Sequence, residues 1–501
     1  MKSTGLNFKI IISFLGLTAI LNGFFMLLAL PFSLYKNEEA TYGILSAGII
    51  TVLLGFMMWF FNRKAPKNLH KREGYIIVTL GWLMLTFTGA LPYLFTGTIP
   101  NFVDAIFETI SGYSTTGASI VKDIEALPNG ILFWRSATHW IGGMGIIVLT
   151  IAILPLLGIG GMQLFMAEAP GPSTDKMHPR ITQTAKRLWL IYVSLTLTEF
   201  FLLKIAGMTW FDAINHAMAT MSTGGFSTKN ASMAYWNHMP IIQYIVIAFM
   251  FIAGTNFILT YFALKGKIRR IFQNEEFKYY FFGIIFLTIV LTIIIQFHQT
   301  PGLESTIDHP MPWGSFESAF RHAGFQVVSV ITTTGFVSAD YTAWNAFATM
   351  LVFSLFFIGG SAGSTSGGVK IVRHIIMIKN SVLEFKKLLH PNAIIPVRYD
   401  NKGVSRIIVF NILSFFVLYM LIFITSAVVL SFMGLDYESA IGAAASSLGN
   451  VGPALGSLSP VDNYAHLSSP AKLFCSFLML IGRLELFTVL ILFTPFFWKK
   501  N

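Results

Sequence analysis

The sequence predicts an all-α polytopic membrane protein, with four tandem helix–pore-loop–helix repeats around one pore and two extra transmembrane helices in front of them. Three observations predict it: the composition, ten apolar stretches of bilayer-spanning length, and a short hydroxyl–glycine segment that recurs four times between them. Of the 501 residues, 54% are hydrophobic and 11% charged, against roughly 25% charged in soluble domains. That leaves too little solvating surface for a soluble enzyme. Cys475 is the only cysteine, which excludes a disulfide framework or a cysteine-based metal site within one chain. The net charge of +11 would suit nucleic acid, but the placement of the bases assigns them to a membrane surface, with no nucleic-acid partner.

Spans need about 17–25 apolar residues. Candidates lie near 10–34, 43–61, 75–96, 131–157, 188–205, 241–264, 279–297, 345–378 (interrupted), 407–433 and 473–498. The first follows Lys2 and Lys9, exceeds the ~7–15 residues of a signal core and has no small-residue cleavage site, so it reads as an anchor helix. With the N-terminus cytoplasmic, the inner segments hold 26 of the 34 Lys and Arg but only 7 of the 23 Asp and Glu. The positive-inside rule therefore selects both termini inside. The expected units are 1–70 (two leading helices), 71–165, 180–270, 275–390 (second helix interrupted) and 400–501.

Four outer connections, 104–119, 212–228, 322–338 and 439–456, are too apolar for simple loops and too short to span, as suits re-entrant segments. Irregular backbone at membrane depth is tolerated only inside protein or along a water-filled cavity. The segments end in Ser114-Thr115-Thr116-Gly117, Ser222-Thr223-Gly224-Gly225, Thr332-Thr333-Thr334-Gly335 and Gly449-Asn450-Val451-Gly452. The final glycines are 108, 110 and 117 residues apart, and Ala105, Ala213, Ala323 and Ala440 each stand twelve residues before one of them. One such match is weak; four in the same topological slot form an internal repeat.

A short helix followed by an extended Thr/Ser–Gly stretch, in four copies, is what a cation filter requires. Glycine admits backbone conformations closed to other residues, so successive carbonyls can face one axis and replace an ion's hydration shell. Pore helices also aim their partly negative C-termini at the path. The competing structural reading makes these glycines close-packing points between helices.

The four-fold plan resembles the superfamily of K+ transporters that includes the TrkH, KtrB and plant HKT proteins, over essentially the whole chain. The most specific pieces are Ser222-Thr-Gly-Gly-Phe-Ser227, Thr332-Thr-Thr-Gly-Phe336, Gly449-Asn-Val-Gly-Pro453, the run 359–368 and Gly482-Arg-Leu-Glu485. The two extra leading helices favour the TrkH branch. The resemblance implies K+ as transported ion, held by filter carbonyls, and no cofactor. It also implies a homodimer in the bacterial inner membrane and a cytoplasmic nucleotide-binding regulatory subunit of TrkA type. Gly117 stands where some Na+-selective members carry Ser, which favours K+. Asn450-Val451 departs from the Thr/Gly pattern, so the filter cannot be strictly four-fold symmetric.

The eighth span contains ten residues of Gly, Ser, Thr and Ala, with Gly359, Gly360, Gly363, Gly367 and Gly368 among them. At about 1 kcal/mol per glycine against alanine, they cannot keep a regular helix. A phosphate-loop reading of Gly363–Lys370 fails, because Gly368-Val369 breaks the Gly-Lys pair, Ile371 replaces Ser/Thr and no strand precedes it. The run is either a kink or, as the resemblance implies, an intramembrane loop obstructing the pore below the filter, with Arg483 as a further gate residue.

Charges inside spans should face partners or a water-filled route. Arg483 and Glu485, read as two apart on one helix, point to different sides: Arg483 towards the pore, Glu485 towards a neighbouring helix. For Glu108 and Glu199 a structural hydrogen-bonding role competes with ion contact. Lys204 snorkels, His139 reads as an interfacial packing residue, and the clusters 142–145 and 158–161 read as close helix packing. The long basic inner loop 370–406 serves topology or docks a partner. No nucleophile is paired with a base and no His cluster has metal spacing, so a membrane enzyme has no support. Within transport, the alternative is a Na+-permeable or H+/Na+-coupled relative.

Overall fold

Only structures with internally paired backbone are stable in hydrocarbon, and the apolar runs fold accordingly as helices. The computed structural model describes residues 6–65, 71–145, 181–298, 307–390 and 395–499. Among these, six helices are long and apolar enough to cross a bilayer: Phe8–Tyr35, Ala40–Asn62, Arg72–Phe95, Lys186–Ile205, Glu275–Phe297 and Arg406–Phe432. The leading pair, Phe8–Leu27 and Ala40–Asn62, meets backbone to backbone. A Cβ on Gly16 would lie 2.7 Å from the Gly55 carbonyl oxygen, and one on Gly55 would lie 2.6 Å from that of Gly16. Small residues permit this approach, which drives association where lipid is as apolar as the helices.

Each repeat then runs first helix, pore helix, extended loop, second helix. The first helices are Lys71–Gly89, Ile181–Ile205, Glu275–His298 and Arg406–Phe432. The pore helices are Phe102–Tyr113, Trp210–Met221, Ser315–Ile331 and Tyr437–Gly449. Three start on side-chain caps that satisfy otherwise orphaned amides: Asn101 accepts from Val103 and Asp104, Thr209 from Asp212, and Asp436 from Ser439. The third starts at Ser315, seven residues before the expected 322, and is 17 residues long. Beyond their first turns all four are largely buried, while Phe102, Trp210, Phe316 and Tyr437 at their starts are exposed.

The second helices depart most from expectation. They are short: Asn129–Gly143, Pro240–Ala253, Ala346–Leu355 and Ser469–Arg483. The stretches 241–264 and 473–498, expected as continuous spans, bend by 110° and 108°. The first bend follows Gly254, and Asn256 caps the helix that restarts there, accepting from Ile258 at 2.8 Å. The second places Glu485 and Leu486 at φ of 54° and 56°, so Arg483 and Glu485 do not share a helix as the sequence reading assumed. Interruption of the second helix is thus not confined to the third repeat. In the first repeat the described helix ends at Gly143; positions 146–180, including the cluster 158–161, lie outside the described residues, as do 391–394 of the inner loop.

A two-residue hairpin, Arg398–Tyr399 paired with Lys402–Gly403, precedes the fourth repeat. Its Asp400 carboxylate accepts from the Asn274 side chain and the Glu275 amide, which ties the hairpin to the start of the first helix of repeat three.

Candidate functional site

The four loops adopt one backbone pattern. Two residues before each final glycine stands a residue in the left-handed region: Thr115, Thr223 and Asn450 at φ of 54°, 55° and 55°, and Thr333 at 55°. Gly117, Gly225, Gly335 and Gly452 follow at φ of 83°, 84°, 74° and 104°. Such values are uncommon for non-glycine residues, and a β-branched threonine holds one only where surrounding contacts over-determine it.

Contacts between loops close a ring. A Cβ on Gly117 would lie 2.3 Å from the Gly224 oxygen, and one on Gly225 would lie 2.1 Å from the Thr334 oxygen. On Gly335 it would lie 2.1 Å from the Val451 oxygen, and on Gly452 2.5 Å from the Thr116 oxygen. Each glycine therefore packs on the carbonyl preceding the next loop's glycine, in the order one, two, three, four and back to one. The loops of a single chain surround one axis. Side chains brace them: Ser114 with Thr116 and Thr332 with Thr334 share hydroxyl bonds of 2.7 Å, and Ser222 donates to Met218. In the fourth loop Asn450 donates to Thr116 Oγ1 at 3.0 Å and to the Met479 carbonyl at 2.9 Å. This accounts for the asymmetric residue: it ties loop four to loop one.

The non-helical run 359–368 lies against the ends of the pore helices. The Thr365 hydroxyl donates to the Met221 carbonyl at 3.1 Å and to the Ala253 carbonyl at 3.2 Å. The Gly367 amide donates to Thr333 Oγ1, and a Cβ there would lie 2.9 Å from the Gly449 oxygen. Gly359 meets Gly367 and Gly368, while Gly363 and Gly368 take φ of 74° and 65°. Arg483 donates to the carbonyls of Thr365, Gly142 and Gly143 at 2.7, 2.7 and 3.1 Å. Gly142 and Gly143 thus do pack closely, as expected, and also present carbonyls to the guanidinium. Glu276 accepts from the amides of Ala362 and Val372, holding both ends of the run.

The other in-span charges find distinct partners except Glu199, which is fully buried with neither carboxylate oxygen hydrogen-bonded among the described residues, so the hydrogen-bonding role expected for it is not seen. Glu485 pairs with Arg373 on the helix after the run. Glu108 pairs with Arg135 and accepts from Ser119 and Ile120. Lys204 caps the Met208 carbonyl and lies 5.2 Å from the Trp210 ring. His139 is not interfacial: it is fully buried, with its ring edge-on to Phe226 at 4.0 Å and pressed on Gly224. Sequence reading passed over Arg135, Glu276, Arg373 and Tyr341. Arg135 was findable, since it sits inside the expected span 131–157 by the same test that singled out Glu199 in the span 188–205.

A family model described as "Cation transport protein", TrkH, matches residues 41–500. The chain belongs to the TrkH family. It is 40% identical over 500 residues to the Trk system potassium uptake protein TrkH of Escherichia coli K12, covering 99% of this chain and all of that one. The TrkH of Halomonas elongata is 39% identical over the same share of both chains. The crystal structure of the potassium transporter TrkH from Vibrio parahaemolyticus superposes with a TM-score of 0.86 at 36% identity, covering 99% of this chain and 100% of that one.

Proposed function

We propose that this chain is the K+-translocating subunit of a Trk-type uptake system in a bacterial inner membrane, with both termini cytoplasmic. The observation that carries the reading is the closed ring in which each loop glycine packs on the next loop's carbonyl. Such a ring presents Thr116, Gly224, Thr334 and Val451 together with Gly117, Gly225, Gly335 and Gly452 around one axis, where carbonyls can take the place of an ion's water. Ser114, Thr115, Ser222, Thr223, Thr332, Thr333, Gly449 and Asn450 complete the ion path at its inner end. The relatives' names, potassium uptake proteins, support K+ as the transported ion rather than Na+.

On this reading the run 359–368 and Arg483 form the gate. The run bonds to the end of the second pore helix, to the end of the second helix of repeat two and to one filter loop, and Arg483 adds a fixed positive charge on the same side, which repels a cation in the path. Opening withdraws the run and requires a partner that binds the two states differently. A cytoplasmic nucleotide-binding subunit of TrkA type fits that part, acting on the helix Ile371–Leu389 and the hairpin after it. One chain supplies all four filter loops, so a homodimer carries two pores side by side. Expression in a K+-auxotrophic strain tests the function. Growth and uptake at limiting K+, maintained against excess Na+, are expected; Na+ entry at rates equal to K+ would contradict the reading.

A further inference from the structure

Beyond each filter glycine, on the side away from the run 359–368, the chain makes a second set of contacts that again pass from one repeat to the next. Between loops one and two, Arg135 Nη1 donates to the Ser227 carbonyl at 3.3 Å. Its Nε donates to Glu108 at 2.9 Å and its Nη2 to Ser119 Oγ at 3.2 Å. Glu108 in turn accepts from the Ile120 amide at 3.0 Å. Between two and three, the Ala234 amide donates to the Val337 carbonyl at 2.9 Å, and Asn237 donates to the Ser338 carbonyl at 3.2 Å. Between three and four, the Tyr341 hydroxyl donates to the Ala454 carbonyl at 3.1 Å. Between four and one, the Tyr464 amide donates to the Ser119 carbonyl at 2.9 Å, while its hydroxyl reaches the Gly452 carbonyl at 2.9 Å.

The acceptors occupy matching places. Ser119, Ser227, Val337 and Ala454 each stand two residues after their filter glycine. The four post-filter segments are thus linked in the same circular order as the glycines. Arg135 is the only ionic link among the contacts just described, and it and Glu108 are both essentially inaccessible to water. Its planar fork reaches both neighbouring loops at once, which a lysine ammonium on one flexible stem cannot do. Phe226 lies 4.2 Å from its guanidinium and carries His139 on its edge, so the same assembly presses on the back of Gly224.

We propose that this outer belt sets the width of the filter, and that Arg135 and Tyr341 are specificity-determining positioning residues for ion discrimination. The inference rests on the filter reading above. A cage of carbonyls selects by its size and by the number and stiffness of its dipoles. Loops tied in a closed ring can neither spread for a larger hydrated ion nor collapse on a smaller bare one. Further contacts still join the neighbours, such as Asn230 to Ile124 and Asp123 between loops one and two, so cutting one tie loosens two neighbouring loops relative to each other with the ion path still open.

The test compares Arg135→Lys and Tyr341→Phe with wild type and with Gly117→Ser in a K+-auxotrophic strain, reading K+ and Na+ uptake normalised to membrane-inserted protein. Each tie-cutting variant is expected to lower the K+/Na+ uptake ratio about three-fold or more, with the half-saturating K+ concentration raised and maximal K+ uptake near wild type. A merely structural role would lower the amount of inserted protein and leave the normalised ratio unchanged. A wild-type ratio in either inserted variant, with a lowered ratio in Gly117→Ser, overturns the belt and leaves the filter standing. A wild-type ratio in Gly117→Ser overturns the filter reading and the belt with it. If Arg135→Lys does not reach the membrane, Tyr341→Phe, which removes a single hydroxyl, decides alone.

Discussion

The backbone amide of Gly367 donates to the hydroxyl of Thr333 at 2.7 Å, joining the run 359–368 to the loop after the third pore helix by one buried hydrogen bond. Thr333 can offer that oxygen because its left-handed backbone, at φ of 55°, sits just past the end of the pore helix. Candidate gate and candidate filter therefore share a bond.

That bond is testable by removing the acceptor. Thr333→Val leaves the Gly367 amide buried and unpaired, at a cost of about 1–3 kcal/mol to the seated run. The expected outcome is a several-fold rise in K+ flux through purified protein in liposomes, while Thr333→Ser, which retains the hydroxyl, stays near wild type. Equal flux in all three would show that the bond does not hold the run closed.

Arg483 makes the second prediction. Its three carbonyl bonds join the run to the end of the second helix of repeat one. Arg483→Ala removes both those bonds and a positive charge, so flux should increase several-fold with the K+/Na+ ratio nearly unchanged. Deletion within 359–368 should act in the same direction. Tracer flux in liposomes measures both; flux no faster than wild type in two folded variants would reduce the run to a kink.

These contacts also mark what the sequence could reveal. The four loop glycines were legible as a repeat because the backbone geometry and a neighbouring carbonyl exclude any side chain, so the residue type itself is recorded at Gly117, Gly225, Gly335 and Gly452. The run 359–368 was legible for the same reason. The circular order of the loops was not, since spacing along the chain does not say which loops touch. The bend after Arg483 was hidden because it is made by Glu485 and Leu486, neither a residue that signals a break. Glu485 is held there by Arg373, 112 residues earlier. The burial of His139 was missed because its contact, the face of Gly224, belongs to another repeat.

A third prediction concerns proton concentration. His309 lies in the connection before the third pore helix, 4.8 Å from the His322 ring, with Asn237 beside its Nδ1. Burial, and then the Arg321 charge, lower its pKa below the usual 6.5, while Asp308 and Asp340 oppose them. With the folded value below the unfolded one, the unfolded chain binds the proton first. The stability contributed by neutral His309 is complete above about pH 6.5 and declines as pH falls below it. Thermal unfolding of detergent-solubilised protein should therefore show a lower midpoint at pH 5 than at pH 7, with a smaller difference in His309→Gln. An identical difference in both proteins would exclude His309 as its source.

The central claim is that four loops of one chain form a single filter in which each glycine packs on its neighbour's carbonyl. Its most direct test is the K+/Na+ uptake ratio of Gly117→Ser, Gly225→Ser, Gly335→Ser and Gly452→Ser, each normalised to inserted protein. A Cβ at any of these positions would meet the adjoining loop's carbonyl oxygen at 2.5 Å or less, closer than atoms can approach without displacing the loop. All four variants should lose K+ preference, by roughly ten-fold if the displaced cage forfeits about 1.4 kcal/mol of discrimination. Wild-type discrimination in any one of them, at normal expression, would contradict the account.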